Sequence, residues 1–148
     1  MQVRGIDFPD DLYYDRQHNW GRVEGNVLTQ GLSDFGQVVA GDIVFAGLPR
    51  PGRQVQRGKH LLSLESGKWI GRVPALVSGK IVEANEALEE EAGVINRAPY
   101  GQGWLARIEM SDPAELDELM RADSPEFQAF IQQEMENYAE QLSKRGIR

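Results

Sequence analysis

The chain has 148 residues, the size of one compact domain, and a chain this long buries roughly 70% of its unfolded surface without disulfides or structural metal. It has no cysteine and two histidines, His18 and His60. That excludes disulfide staples, thiolate metal centres and a protein thiol as nucleophile, and argues against histidine-based zinc chemistry. Sixteen Lys and Arg against 23 Asp and Glu give a net charge of −7, which disfavours nucleic-acid binding, because phosphate contacts need clustered positive charge. Met1 to Asp11 is acidic without an apolar core and the apolar runs elsewhere are short, so neither a signal peptide nor a membrane span is expected and the predicted location is cytoplasmic.

The first 110 residues read as short strands punctuated by Gly and Pro. Trp20–Glu24 and Val27–Leu32 flank Gly25-Asn26, a pair suited to a tight hairpin turn. Ser33-Asp34 offers an N-cap for a brief helix through Val38 and Val39. Asp42–Leu48 is mostly apolar and predicts a strand buried on both faces, ended by Pro49, Pro51 and Gly52. Further strands are expected at Leu61–Glu65, Lys80–Ala84 and Trp104–Met110, the last with Trp104, Ala106, Ile108 and Met110 on one face. Turn signals at this spacing point to a β-sandwich or small barrel.

The last third changes character. Asp112-Pro113-Ala114-Glu115 carries an N-cap acid and a proline at the first helical position, followed by Leu116, Leu119 and Met120 at helical spacing. Ser124-Pro125 repeats the start signal. Phe127, Phe130, Ile131, Met135, Tyr138 and Leu142 then form one apolar stripe, with Gly146 as its end. A domain over residues 1–122 and a helical extension over 123–148 are expected, the stripe packing on or near the domain.

Few residues could carry catalysis. His18 precedes Asn19-Trp20 and His60 lies in a strand-like run, so no Ser-His-Asp set is plausible. Glu89-Glu90-Glu91 reads as a solvated turn, and Gly101-Gln102-Gly103 lacks the strand and helix of a dinucleotide loop. One segment stands apart, Leu62-Ser63-Leu64-Glu65-Ser66-Gly67-Lys68-Trp69-Ile70-Gly71. A strand reaches Glu65-Ser66, Gly67 permits a tight turn, and Lys68 falls near the tip on a flexible four-carbon stem. Such a lysine is ordinarily just solvated surface, but a bulky Trp69 beside it is less usual.

With these residues in view, the sequence resembles the glycine-cleavage H-protein family of lipoyl carriers. His18-Asn19-Trp20-Gly21-Arg22-Val23-Glu24-Gly25-Asn26-Val27 is similar to the family's H-E-W-x-R-V-E-G-x-V, and Glu65-Ser66-Gly67-Lys68 to its E-S-x-K. Asn96 with Pro99-Tyr100-Gly101-Gln102-Gly103-Trp104-Leu105 matches N-x-x-P-Y-G-x-G-W-L, and Val77 to Leu88 resembles the segment after the hairpin. The resemblance, from about Leu12 to Met120, implies a mainly β fold: the hammerhead β-sandwich of lipoyl and biotinyl domains with short helices, here including the C-terminal amphipathic one. It also implies lipoate joined by an amide to Lys68, with Glu65, Ser66, Gly67 and Trp69 flanking it, and a swinging arm carrying intermediates between partner enzymes. Such a carrier has no active site of its own. The implied partners are a lipoate ligase or transferase and dihydrolipoamide dehydrogenase, for a monomeric protein that binds neither nucleic acid nor membrane.

The sequence departs from the family where the arm would be rooted. After Lys68 the family's small residues, as in K-A-A-S-D, give way to Trp69-Ile70-Gly71-Arg72, with a cation where an acid is usual, and the chain extends some way past the usual end. These departures favour an H-like lipoate-binding protein of sulfur oxidation, working with a heterodisulfide-reductase-like complex. The alternative is the glycine-cleavage role, carrying an aminomethyl group from the decarboxylase to the tetrahydrofolate-dependent transferase. A third possibility, from another class, is an unmodified scaffold module.

Overall fold

The structure is a computed structural model that describes residues 1–67 and 69–147. Its N-terminal part forms β1 (Gln2–Val3), β2 (Ile6–Asp7), β3 (Tyr13–Tyr14), β4 (Asn19–Glu24), β5 (Val27–Leu32) and helix α1 (Asp34–Ala40). Then follow β6 (Ile43–Gly47), β7 (Gln54–Val55), β8 (His60–Ser66), β9 (Ile70–Pro74), β10 (Gly79–Ala84) and the single turns α2 (Ala87–Glu90) and α3 (Val94–Arg97). The C-terminal part holds β11 (Ala106–Met110), a 3-10 turn (Pro113–Glu118), β12 (Met120–Arg121), α4 (Pro125–Asn137) and α5 (Ala139–Lys144).

Two antiparallel sheets form the sandwich that the turn spacing predicts. The larger runs β12-β3-β4-β5-β11-β10-β7 and the smaller β6-β8-β9. Leu28, Ile81 and Ile108 of the large sheet meet Ile43, Ala46, Leu62, Leu64 and Val73 of the small one in a single buried cluster. Gln30, fully buried on β5, staples the sheets together: its Nε2 donates to the Pro74 carbonyl at 2.8 Å, and its Oε1 accepts from the Leu76 amide at 2.9 Å. That staple anchors the base of the β8–β9 hairpin to the large sheet.

The C-terminal stripe packs where the periodicity requires it. Phe127, Ile131, Met135 and Leu142 are buried in a second cluster with Ile6, Phe8, Tyr14, Trp20 and Phe35. Ser124 caps α4, its Oγ accepting from the Phe127 amide at 3.1 Å. The expected single helix breaks at Tyr138, which leaves the helical region and separates α4 from α5. This break lets Leu142 turn back into the cluster and brings α5 against α1.

Three expectations need correcting. The run Asp42–Leu48 is not buried on both faces: Ile43 and Ala46 point inward, but Val44 is 67% and Phe45 52% exposed. A bulge between Ile43 and Phe45 adds a residue to this edge strand, and no described element covers its outer face. The segment after Asp112 is a 3-10 turn, and Met120 leaves it to pair with Tyr14. Finally, Trp104 precedes β11 and packs with the second cluster, the Arg107 guanidinium 4.1 Å over its ring, while Ala106, Ile108 and Met110 face the first.

Candidate functional site: a hairpin and its groove

The β8–β9 hairpin pairs Ser63 with Arg72, Leu64 with Gly71 and Glu65 with Ile70. Its closure is tight, the Ser66 amide donating to the Trp69 carbonyl at 2.8 Å. Glu65 is half-buried between Phe45 of β6 and Ile70 of β9, both directly opposite it in register. Ser66 is also half-buried and pairs with Ile43, whereas Gly67 is exposed with open space around its Cα. Lys68, the residue to which the E-S-x-K pattern points, lies outside the described residues. Trp69 is 41% exposed, its indole folded back against Gly71, where any side chain would overlap the ring. Gly71 leaves open the space that the indole occupies.

From Trp69 a groove of about 850 Å³ runs between the hairpin, α1 and the α4–α5 segment. Leu32, Val38, Val39 and Val73 give it apolar walls, and Tyr138 lines its helical side. At one end stands His18, with Nε2 2.6 Å from Glu134 Oε1 and its ring packed against Phe35, Phe130 and Tyr138. Burial lowers the His18 pKa below its ordinary value even though Glu134 and Asp15 pull the other way, so the imidazole is neutral near pH 7. Its backbone takes φ 68°, a left-handed conformation uncommon outside glycine, stabilised by the ring contacts and the Glu134 hydrogen bond. His18 is thus a packed histidine, and it joins the β3–β4 turn to α4.

Next to it, Asp15 accepts from the Asn19 amide at 2.8 Å and from Asn19 Nδ2 at 3.0 Å. Burial raises the Asp15 pKa against these hydrogen bonds. Asn19 Oδ1 is buried with no hydrogen-bond partner among the described residues. The segment from Asn96 to Trp104 secures the other side of the groove. Asn96 Nδ2 donates to the Gly41 carbonyl at 2.8 Å while its Oδ1 accepts from the Ile43 amide at 2.8 Å, joining the end of α1 to the start of β6. Tyr100 Oη donates to the Asp7 carbonyl at 2.6 Å and accepts from the Asp34 amide at 3.0 Å. Burial pushes the Tyr100 pKa up, so its phenol stays protonated. Trp20 Nε1 donates to the Pro99 carbonyl at 2.9 Å. Glu89, Glu90 and Glu91 are exposed on and after α2, and among the described residues no group of acids and histidines could hold a metal.

The glycine cleavage H-protein family model matches residues 12–134, from just before β3 to the last turn of α4. The chain belongs to the glycine cleavage H-protein family. It is 44% identical over 121 residues to the glycine cleavage system H protein of Brevibacillus brevis, covering 82% of this chain and 96% of that one. With the glycine cleavage system H protein of Coprothermobacter proteolyticus it shares 46% over 123 residues, 82% of this chain and 95% of the relative. The crystal structure of a glycine cleavage system H protein from Mycobacterium marinum superimposes with a TM-score of 0.71 at 27% identity, covering 95% of this chain and all of the other. Glycine cleavage H proteins carry a covalently attached lipoate on a lysine and have no catalytic activity of their own, so this chain is a lipoyl carrier.

The residues present fit that cofactor. An apolar-walled groove begins at Trp69, near the closure of the hairpin, and suits an aliphatic arm. The sequence did not reveal that α4 and α5 supply one wall of it, through Glu134, Tyr138, Lys144 and Arg145. The stripe predicted what these helices bury, Tyr138 among it, but Glu134, Lys144 and Arg145 lie off the stripe and carried no signal.

Proposed function

We propose that Lys68 bears the lipoyl group and that the chain is an aminomethyl carrier of the glycine-cleavage type. It would accept the group from the decarboxylase and deliver it to the tetrahydrofolate-dependent transferase, in the cytoplasm and as a monomer. A lipoate ligase or transferase would modify Lys68, and dihydrolipoamide dehydrogenase would reoxidise the arm. One conjunction supports this reading: the Glu65-Ser66-Gly67-Lys68 pattern spans the closure of the β8–β9 hairpin, inside the segment that matches the family. The dithiolane, when attached, supplies redox and group-carrying chemistry to a chain without cysteine. The protein's own part is display and orientation. The Ser66–Trp69 closure and the Gln30 staple fix the hairpin, and tethering keeps the cargo at high effective concentration between enzymes. The division into a carrier domain (1–122) and a helical extension (123–148) belongs to this proposal, supported by the contacts of Phe127 with Phe8 and Tyr14.

The sulfur-oxidation role favoured by the hairpin departures gives way here, because relatives over 40% identical are glycine cleavage system H proteins despite those departures. It stays as a second reading on one observation, the cation Arg72 on the groove beside Trp69. Intact mass of the native protein, with fragmentation, tests attachment: lipoyl mass on Lys68 is expected. Incubation with glycine decarboxylase and labelled glycine then tests cargo. Label retained on the arm supports the aminomethyl role, and a lipoylated protein that takes none favours the sulfur role. An unmodified Lys68, in cells whose other lipoyl proteins are modified, would point to a scaffold module.

A further inference from the structure

The outer face of the small sheet carries the three most exposed large apolar side chains among the described residues, Val44 at 67%, Phe45 at 52% and Ile70 at 75%. The strand registers set two rows across this face. One is Phe45–Glu65–Ile70, and the next is Gly47–Ser63–Arg72. Alternation along each strand points both rows the same way, opposite to Ala46, Leu64 and Val73, which enter the core. Gly47 has no side chain, and the open space above it lies beside the Phe45 ring, whose Cε2 is 3.6 Å from where a Cβ would stand. Glu65 and Arg72 stand diagonally on this face, a spacing that long side chains can bridge. Yet neither makes an ion pair with the other or with any described residue. One surface thus holds an apolar knob, a hollow, an acid and a base, all without partners among the described residues.

We propose that this face is self-complementary, the contact through which two copies of the chain pair weakly about a two-fold axis. The axis runs across the strands, between the two rows. It lays Phe45 of each copy over Gly47 of the other, and sets Glu65 over Ser63 with Arg72 of the other copy one strand away. The inclination of about 30° at which twisted sheets pack brings that acid and base together. The occupant is a second copy, because both halves of each contact are already present on one surface. Three apolar side chains cover less than the roughly 800 Å² per partner of stable complexes, so the pair dissociates at about 0.2 mM. At lower concentration the chain is the monomer proposed above. Ile70 and Glu65 belong to the β8–β9 hairpin, so pairing covers the outer side of that hairpin on both copies. The pair is therefore an idle form that an enzyme acting on the hairpin must separate. That consequence rests on the carrier reading, whereas the pairing itself does not.

Sedimentation equilibrium of the full chain before lipoylation, from about 10 μM to about 1 mM, tests this. The mean mass is expected to rise from that of one chain toward that of two, and Phe45→Ser should weaken the association about tenfold. Glu65→Arg and Arg72→Glu should each stay monomeric alone, because each sets like charges against each other across the axis. Mixed in equal amounts they should pair again, since both crossing contacts then join an acid to a base. That recovery also shows that both variants are folded. A parent chain that stays monomeric over this range overturns the proposal, as does association untouched by Phe45→Ser. So does a monomeric mixture of two charge variants that melt like the parent. Should either of them misfold, Phe45→Ser, at an exposed site, decides alone. A monomeric parent in which Phe45→Ser slows lipoate attachment by a ligase would assign the face to an enzyme and likewise overturns the pairing. Failure of the carrier reading appears separately, as an unmodified Lys68 in the native mass.

Discussion

The indole of Trp69 lies against the backbone of Gly71, two residues along the same strand, in the space a side chain at 71 would occupy. This pairing turns a bulky residue next to Lys68 in the sequence into one wall of the groove. Gly71→Ala should expel the ring. The indole is 41% exposed and free to swing outward, so the stability loss should be only about 1 kcal/mol, but the Trp69 indole signal should shift strongly. Thermal melts together with NMR of the variant would check both. An unshifted indole would contradict the packing described.

Gln30 is a second point where one side chain decides hairpin placement. Gln30→Leu removes both partners of the Pro74 carbonyl and Leu76 amide without offering water a path to them. Leaving two polar groups unpaired should cost about 3 kcal/mol, measured by urea unfolding. The loss should be accompanied by faster hydrogen exchange at Leu76.

The His18–Glu134 contact makes stability depend on pH in a defined direction. Burial holds the folded-state pKa of His18 below its ordinary value, so the unfolded chain takes up a proton first as pH falls. The contribution is fully present above about pH 6.5 and is lost as pH drops below it, toward the lowered folded-state value. Denaturant unfolding at pH 7.5 and 5.5 should therefore show a smaller pH-dependent loss in His18→Asn than in the parent. Asparagine tolerates the left-handed backbone at this position, which keeps the comparison clean.

The C-terminal helices should be structural as well as groove-forming. Ile131→Ala empties a site that is 1% exposed among Phe8, Tyr14 and Phe127, and should cost about 2–4 kcal/mol. Removing the residues after Ser124 should lower the melting temperature substantially, since it uncovers the second cluster. Unchanged stability in either case would contradict the packing role.

Much of the fold was legible because its signals are local. Gly25-Asn26 between two apolar alternations predicts the β4–β5 hairpin, and Ser33 and Ser124 mark helix starts that the structure caps as expected. The short strands β1, β3, β7 and β12 were not legible, since two-residue pairings carry no periodicity and exist only because a neighbouring strand lies alongside. The outward face of Val44 and Phe45 was misread for a related reason. An apolar run does not say whether a second layer covers it.

The site divides in the same way. The sequence by itself determined the family and the E-S-G-K pattern ending in Lys68, since motif chemistry is written in consecutive residues. It also determined that α4 and α5 would bury one apolar stripe, because helical spacing fixes a face. Only the tertiary structure decided that Trp69 folds onto Gly71, that His18 meets Glu134 across 116 positions, and that Arg72, Lys144 and Arg145 line one groove. These depend on which faces are brought together by packing the two sheets and closing the C-terminal helices over them. No local pattern encodes a juxtaposition between residues so far apart in the chain.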